Sequence, residues 1–165
     1  MLNMKKILSI LIIFAFCVGC QSEPKEVSVV CRFAGDELGV DMKQDLTLKA
    51  KDDALYQIID AMSYTFDNVE RYQEDIDLKI ASYKDLEKCP DKTDKNKCSK
   101  NVTFTWKYEK PTLSTKSVIN VQAAIEAKEK LSIFEELPKD NDYYSLKSTQ
   151  KALEKQGYSC KTKTK

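Results

Sequence analysis

The chain has 165 residues, with 27 Lys and Arg against 26 Asp and Glu, no histidine, and a formal charge of +1. This balance leaves no electrostatic footprint for nucleic acid, and with only Arg32 and Arg71 among the cations there is no basis for bidentate phosphate clamping. The missing histidine excludes Ser-His-Asp and Cys-His nucleophile systems, imidazole acid–base catalysis and His-ligated zinc or iron.

Lys5 and Lys6 precede an apolar run from Ile7 to Val18, broken only by Ser9 and followed by Gly19 and Cys20. A basic flank, a short apolar core and a small-residue boundary are the parts of a secretory signal. The run, about a dozen residues, is too short for a permanent membrane span. Cys17-Val18-Gly19-Cys20 resembles the lipobox of bacterial lipoproteins, in which the cysteine is acylated and becomes the first mature residue. Cys17 departs from the leucine usual at its position. The reading is a signal peptide over 1–19 and lipidation at Cys20. The lipid bilayer is then the first partner, and the chain sits on the extracytoplasmic face of the cell membrane. Each buried methylene of an acyl chain adds about 0.8 kcal/mol to such anchoring. Residues 20–26 read as the lipidated Cys and a short polar tether, and 27–165 as a single α+β domain. Loss of Lys5 and Lys6 with the signal brings the formal charge from +1 to −1.

Four cysteines remain: Cys31, Cys89, Cys98 and Cys160. An even number in an exported chain reads as disulfides, with three pairings open. Cys89 and Cys98 bracket a polar loop that a bridge closes easily, which leaves Cys31 with Cys160. A four-thiolate metal site needs paired short spacings, and no two of these four cysteines stand in a Cys-x-x-Cys. The expectation is no metal and no cofactor.

Val27, Val29, Cys31 and Phe33 alternate with Ser28, Val30, Arg32 and Ala34, a strand by its period of two. Residues 34–39, with Gly35 and Gly39, read as a turn. Val40, Met42, Leu46 and Leu48 then face one way, with Gln44 the one mismatch. Lys51-Asp52-Asp53 turns the chain into a third strand, Ala54 to Phe66. Three sequential strands with short turns predict an antiparallel meander. Asp60 interrupts the apolar face of the third strand between Ile58 and Met62. It reads as a bulge or edge position in need of a partner, Arg32 or a lysine.

Asp67 and Glu70 suggest a capping box for a helix from Asn68 to Lys88, with Val69, Tyr72, Ile76, Ile80 and Tyr83 inward. Tyr72 and Tyr83 offer a ligand pair, but a core-edge place with the hydroxyl reaching solvent is the reading taken. Phe104, Trp106 and Tyr108 give the next strand an aromatic face, and Pro111 ends it. Trp106 and Tyr108 are candidate ligand-binding residues, with a core role as the bland alternative. Leu113 to Val121 continues weakly as a further strand or an extended segment. Ala123 to Leu137 has helical spacing and stops at Pro138. Asp140 and Asp142 open a turn that lacks the glycine and glutamate of a calcium loop. Ser145 and Gly157 bound a last helix, and Lys161, Lys163 and Lys165 form a small basic tail, read as a solvated end with a membrane-surface contact as the alternative. The architecture expected is an antiparallel sheet of four to five strands with about three helices, mainly on one face.

The stretch Tyr143 to Tyr158, YYSLKSTQKALEKQGY, resembles the C-terminal signature of the YehR-like family of small bacterial lipoproteins. The order of lipobox, Cys-bearing first strand, meander, helix, strand and C-terminal helices agrees with it. The Cys89–Cys98 loop and the Leu113–Val121 segment depart from it. The resemblance implies localisation and fold class and brings no catalytic residue. The functional expectation is a non-catalytic binding or envelope-interaction module with a protein partner at the cell envelope and no nucleic acid. The alternatives are a small-ligand carrier associated with a transporter and a carboxylate-based hydrolase, for which Asp60 is the one residue to name.

Overall fold

The computed structural model describes residues 25–92, 97–140 and 142–163. The signal segment, Cys20, the tether up to residue 24 and Lys165 lie outside the described residues. In chain order the elements are β1 (Glu26–Glu37), β2 (Val40–Lys51), β3 (Ala54–Phe66), α1 (Gln73–Lys88), β4 (Val102–Glu109), β5 (Thr112–Ile119), α2 (Val121–Glu126), a 3-10 turn (Ser132–Glu135), β6 (Lys139–Asp140), β7 (Tyr143–Tyr144), α3 (Leu146–Lys155) and β8 (Ser159–Lys163). Six strands form one antiparallel sheet in the order β4-β5-β3-β2-β1-β8, and β6 and β7 pair separately. The fold class is α+β. Among the described residues no helix is long and apolar enough to cross a membrane.

The meander β1-β2-β3 follows from alternation: each strand puts one apolar row on the face that the helices cover. The β1–β2 turn has only two residues, Leu38 (φ 52°) and Gly39 (φ 84°), both left-handed as a tight hairpin needs. A side chain at Gly39 would collide with the Asp67 carboxylate. From β3 the chain crosses the sheet through α1 to β4, then returns as β5 into the gap beside β3. A second crossover, through α2, the 3-10 turn and α3, carries the chain from β5 to β8 on the far edge. Both crossovers lie on the same face. The tether-side half of that face holds the main core, which includes Val29, Cys31, Leu48, Ile58, Ile119, Val121, Leu131 and Leu146. A smaller cluster of Phe66, Ile76 and Leu113 lies under α1.

Both disulfides have the expected pairing. Cys31–Cys160 joins registered positions of β1 and β8, and Cys89–Cys98 closes the loop after α1. The first closes a span of 129 residues and the second one of 9. In the chain-entropy model that difference makes the first the stronger staple, at about 5 against about 3 kcal/mol.

Several expectations are corrected. The sheet has six strands, not four to five: residues 112–119 form the further strand that the sequence allowed, between β3 and β4, and residues 159–163 form a sixth, unexpected one on β1. Lys161 and Lys163 therefore belong to a strand and are not a free tail. The sheet starts at Glu26, inside the predicted tether, and Lys25 is held to the β2–β3 turn through its N–H to Asp52 Oδ1 (3.1 Å) and its carbonyl to Asp52 N–H (2.8 Å). The first long helix begins at Gln73, not Asn68. Asp67 instead donates its N–H to Gly39 O (2.9 Å), and Asn68 Oδ1 accepts from Arg71 N–H (3.1 Å), which makes a turn where the capping box was expected. The helix predicted over 123–137 stops at Glu126. Lys128 takes a left-handed conformation (φ 55°) and Ile125 faces solvent, so the alanine-rich segment buries too little to continue. The last helix keeps its predicted bounds: Ser145 Oγ accepts from Ser148 N–H (3.1 Å), and Gly157 has φ 95°.

Candidate functional site

On the helix-covered face the two crossovers leave an uncovered band across the sheet. Register places Phe33 beside Gln44 and Met62 in one row, and Gly35, Met42, Tyr64 and Leu113 in the next. The tight hairpin raises the β1–β2 tip on one side of this band, and α1 forms the other side. Between them is a hollow of about 630 Å³ lined by Phe33, Val40, Met42, Tyr64, Phe66 and Tyr72, with Leu38 and Leu78 at its rim. Those two leucines are 74% and 64% exposed, the most exposed large apolar side chains described. Leu38 also holds a left-handed backbone conformation that costs a leucine about 1 kcal/mol, so an apolar side chain sits at the tip where asparagine or glycine would be easier. Tyr72 Oη donates to Leu38 O and ties the approach to α1 onto the tip. Asp36, Glu37 and Asp75 stand at the rim with Lys79, whose Nζ lies 4.8 Å above the Tyr64 ring.

A second hollow, about 230 Å³, lies between the sheet and α3 with the 3-10 turn; it includes Gln44, Leu46, Asp60, Leu137, Leu153 and Tyr158. Asp60 sits in β3, paired on both sides and in regular register, so it is neither a bulge nor an edge position. Its partner is Gln44, whose Nε2 donates to Asp60 Oδ1 (2.9 Å), while Tyr158 Oη donates to Gln44 Oε1 (2.5 Å). Arg32, the partner considered from sequence, is on the other face and bonds Asp45 (3.3 Å). Burial pushes the Asp60 carboxyl above its ordinary value, and the Gln44 hydrogen bond partly offsets this. Burial first, and then the Asp60 charge, raise the Tyr64 and Tyr158 hydroxyls. The rings of Phe33 and Tyr158 meet at 5.4 Å. Phe33 lines the first hollow and Tyr158 the second, so the two hollows adjoin across this ring pair.

Trp106 and Tyr108 are placed elsewhere. They pack under α1 with Leu113, where Trp106 Nε1 donates to Glu87 Oε2 (3.3 Å), and neither lines the two hollows. Their neighbour Phe104 meets Tyr83 at 5.5 Å. Sequence reading did not select Leu38, Met42, Tyr64 or Tyr158, and it set Tyr72 aside for a core-edge role; Tyr72 lines the hollow and also packs at the edge of the cluster under α1. A signal was present for the polar pair: Gln44 and Asp60 are the pattern mismatches of adjacent strands, and hairpin register makes them diagonal neighbours. Among the described residues no three metal-ligating side chains come together. No family model matches the chain, and comparisons with curated proteins and with solved structures find no match.

Proposed function

We propose that the protein is a lipid-anchored, extracytoplasmic binding module, acylated at Cys20, whose ligand enters the hollow between the β1–β2 tip and α1. The observation that carries this reading is an open aromatic and aliphatic hollow rimmed by two exposed leucines. Large apolar residues left in water at the lip of a concave apolar surface mark a binding site. The ligand has an apolar body, and a polar group on it meets Asp60, Gln44 and Tyr158 beyond the Phe33–Tyr158 pair. A small-ligand carrier working with a transporter uses this same site. The resemblance of residues 143–158 to YehR-like lipoproteins is part of the reading.

The module is non-catalytic. The competing hydrolase reading draws on Asp60 and Glu136, which line the same smaller hollow; the larger apolar hollow, at about 630 Å³ against about 230 Å³, carries the reading taken.

The test uses the chain in lipid nanodiscs and an uncharged alkyl diazirine as a photoreactive apolar probe. Adducts mapped by mass spectrometry are expected on Met42, Tyr64, Tyr72 and Leu78. Met42→Trp, which fills the hollow, is expected to lower those adducts about tenfold, a loss near 1.4 kcal/mol of affinity, with the circular dichroism unchanged. Labelling spread evenly over the surface, or unaffected by Met42→Trp, would refute the site.

A further inference from the structure

Among the described residues no helix covers the opposite face of the sheet, and its charges are unevenly spread. Register aligns Lys163, Ser28 and Lys49 in one row, Lys161 with Val30 in the next, and Ser159 with Arg32 in a third. Lys51 stands opposite Glu26 at the same corner. A hollow of about 220 Å³ lies there, lined by Val30, Arg32, Ser159, Lys161, Thr162 and Lys163. The acids facing these five cations are Glu26 and Asp45, and Asp45 bonds Arg32 at 3.3 Å. Lys161 and Lys163 are exposed, and among the described residues neither has an ion-pair partner. The other end of the strands carries the opposite sign, with Asp36, Glu37 and Asp75 around the apolar hollow against Lys79.

This polarity has a direction. The basic corner surrounds the start of β1, where the tether enters. Lys25 stands five positions after Cys20, at most about 18 Å of extended chain. An acyl group on Cys20 therefore holds this corner, and not the acidic tip, near the headgroups. Lysines within about a Debye length, ~8 Å, of an anionic lipid surface are attracted to it. We propose that the corner formed by Lys49, Lys51, Lys161, Lys163 and Arg32 docks on anionic phospholipid headgroups of the membrane that holds the chain. Docking turns the tip and its hollow away from the bilayer, toward ligands arriving from outside.

The inference rests on acylation of Cys20, and the test separates the two. The chain, purified from membranes in detergent, is reconstituted into vesicles of phosphatidylcholine alone or with roughly 30% phosphatidylglycerol. Flotation reports anchoring, and amine acetylation followed by mass spectrometry reports docking. The chain is expected to float with both vesicles. Lys161 and Lys163 should react about fivefold more slowly on the anionic vesicles, and about 0.5 M salt should restore their reactivity. Lys79 and Lys107, at the other end of the strands, should react equally on both. Lys161→Glu with Lys163→Glu should abolish the protection of Lys49 and leave flotation intact. Flotation with equal reactivity on the two vesicles would overturn docking and leave the anchor standing. Failure to float on either would overturn the anchor, and docking with it. Protection on both vesicles alike, or protection that survives salt, would point to a protein contact and also overturn the inference.

Discussion

The two ends of the helix-covered sheet face are built from the same strands and behave differently. Near the tether, twelve buried residues from the sheet, α2, α3 and the segment between them close one core. At the tip the buried residues among those described are Phe66, Ile76 and Leu113, and tyrosines and other partly buried side chains surround them. The difference lies in what each strand offers at each level. Leu48, Ile58 and Ile119 are compact aliphatics in one row that helices can seal. Met42 and Tyr64 form a flat, partly polar floor that α1 spans at one side only. Burial of this kind stabilises the tether end, and the tip spends its apolar surface on access. The sharpest way to break this comparison is one substitution made at both ends. Leu48→Ala, at a residue 1% exposed, should destabilise by about 3 kcal/mol through lost transfer energy and a cavity. Leu78→Ala should change stability by less than about 0.5 kcal/mol and still weaken labelling by the apolar probe. Chemical denaturation measures both. Equal losses would mean that the tip is core as well.

Asp60 stands between the two ends, and its effect should be smaller and depend on pH. Its carboxyl titrates above the ordinary 3.8 in the folded chain. The folded state therefore holds the proton more tightly than the unfolded state does. The stabilisation is full below the unfolded value and is lost as pH rises through the folded value. Asp60→Asn should flatten stability against pH over that window and leave stability at pH 7 within about 1 kcal/mol of the parent. A slope that persists in the variant would assign the titration to another group.

What was legible in the chain depended on how local the cause is. β1, β2, β3 and β4 could be read because each buries one face and so alternates. α3 could be read because Ser145 and Gly157 mark its ends within the segment itself. Parity and spacing gave the disulfides. The misses have distant causes. β8 looks like a basic tail because Lys161 and Lys163 lie on the uncovered face, and its pairing with β1 is set by Cys31, 129 residues away. Asp53 reads as a turn residue. In the fold its carboxylate accepts from Ser145 Oγ (2.7 Å) and Lys147 N–H (2.9 Å), which fixes the start of α3. Nothing local at Asp53 announces a partner 92 positions later. The hollow itself was not legible, because concavity comes from the gap between two crossovers and from no single segment. Of the site, the sequence pointed to Asp60, with the wrong partner, and to Tyr72, which helical spacing alone assigns to the core edge.

Tyr108 offers the smallest and most diagnostic change. It lies in the tip cluster under α1, and its hydroxyl is buried without a hydrogen-bond partner among the described residues. A buried hydroxyl left unsatisfied loses its hydration and gains nothing in return, a cost of about 1–3 kcal/mol. Tyr108→Phe keeps the ring that packs beside Leu113 and removes only that oxygen. In the tether-end core, where polar groups such as Ser145 and Thr149 are hydrogen-bonded, deleting a hydroxyl should destabilise by about 1 kcal/mol. At the tip the same deletion should be neutral or raise the denaturation midpoint by up to about 1 kcal/mol of stability. A loss greater than about 1 kcal/mol would show that the hydroxyl has a partner in solution. The tip would then be as well satisfied as the closed core, and the contrast between the two ends would rest on the hollow alone.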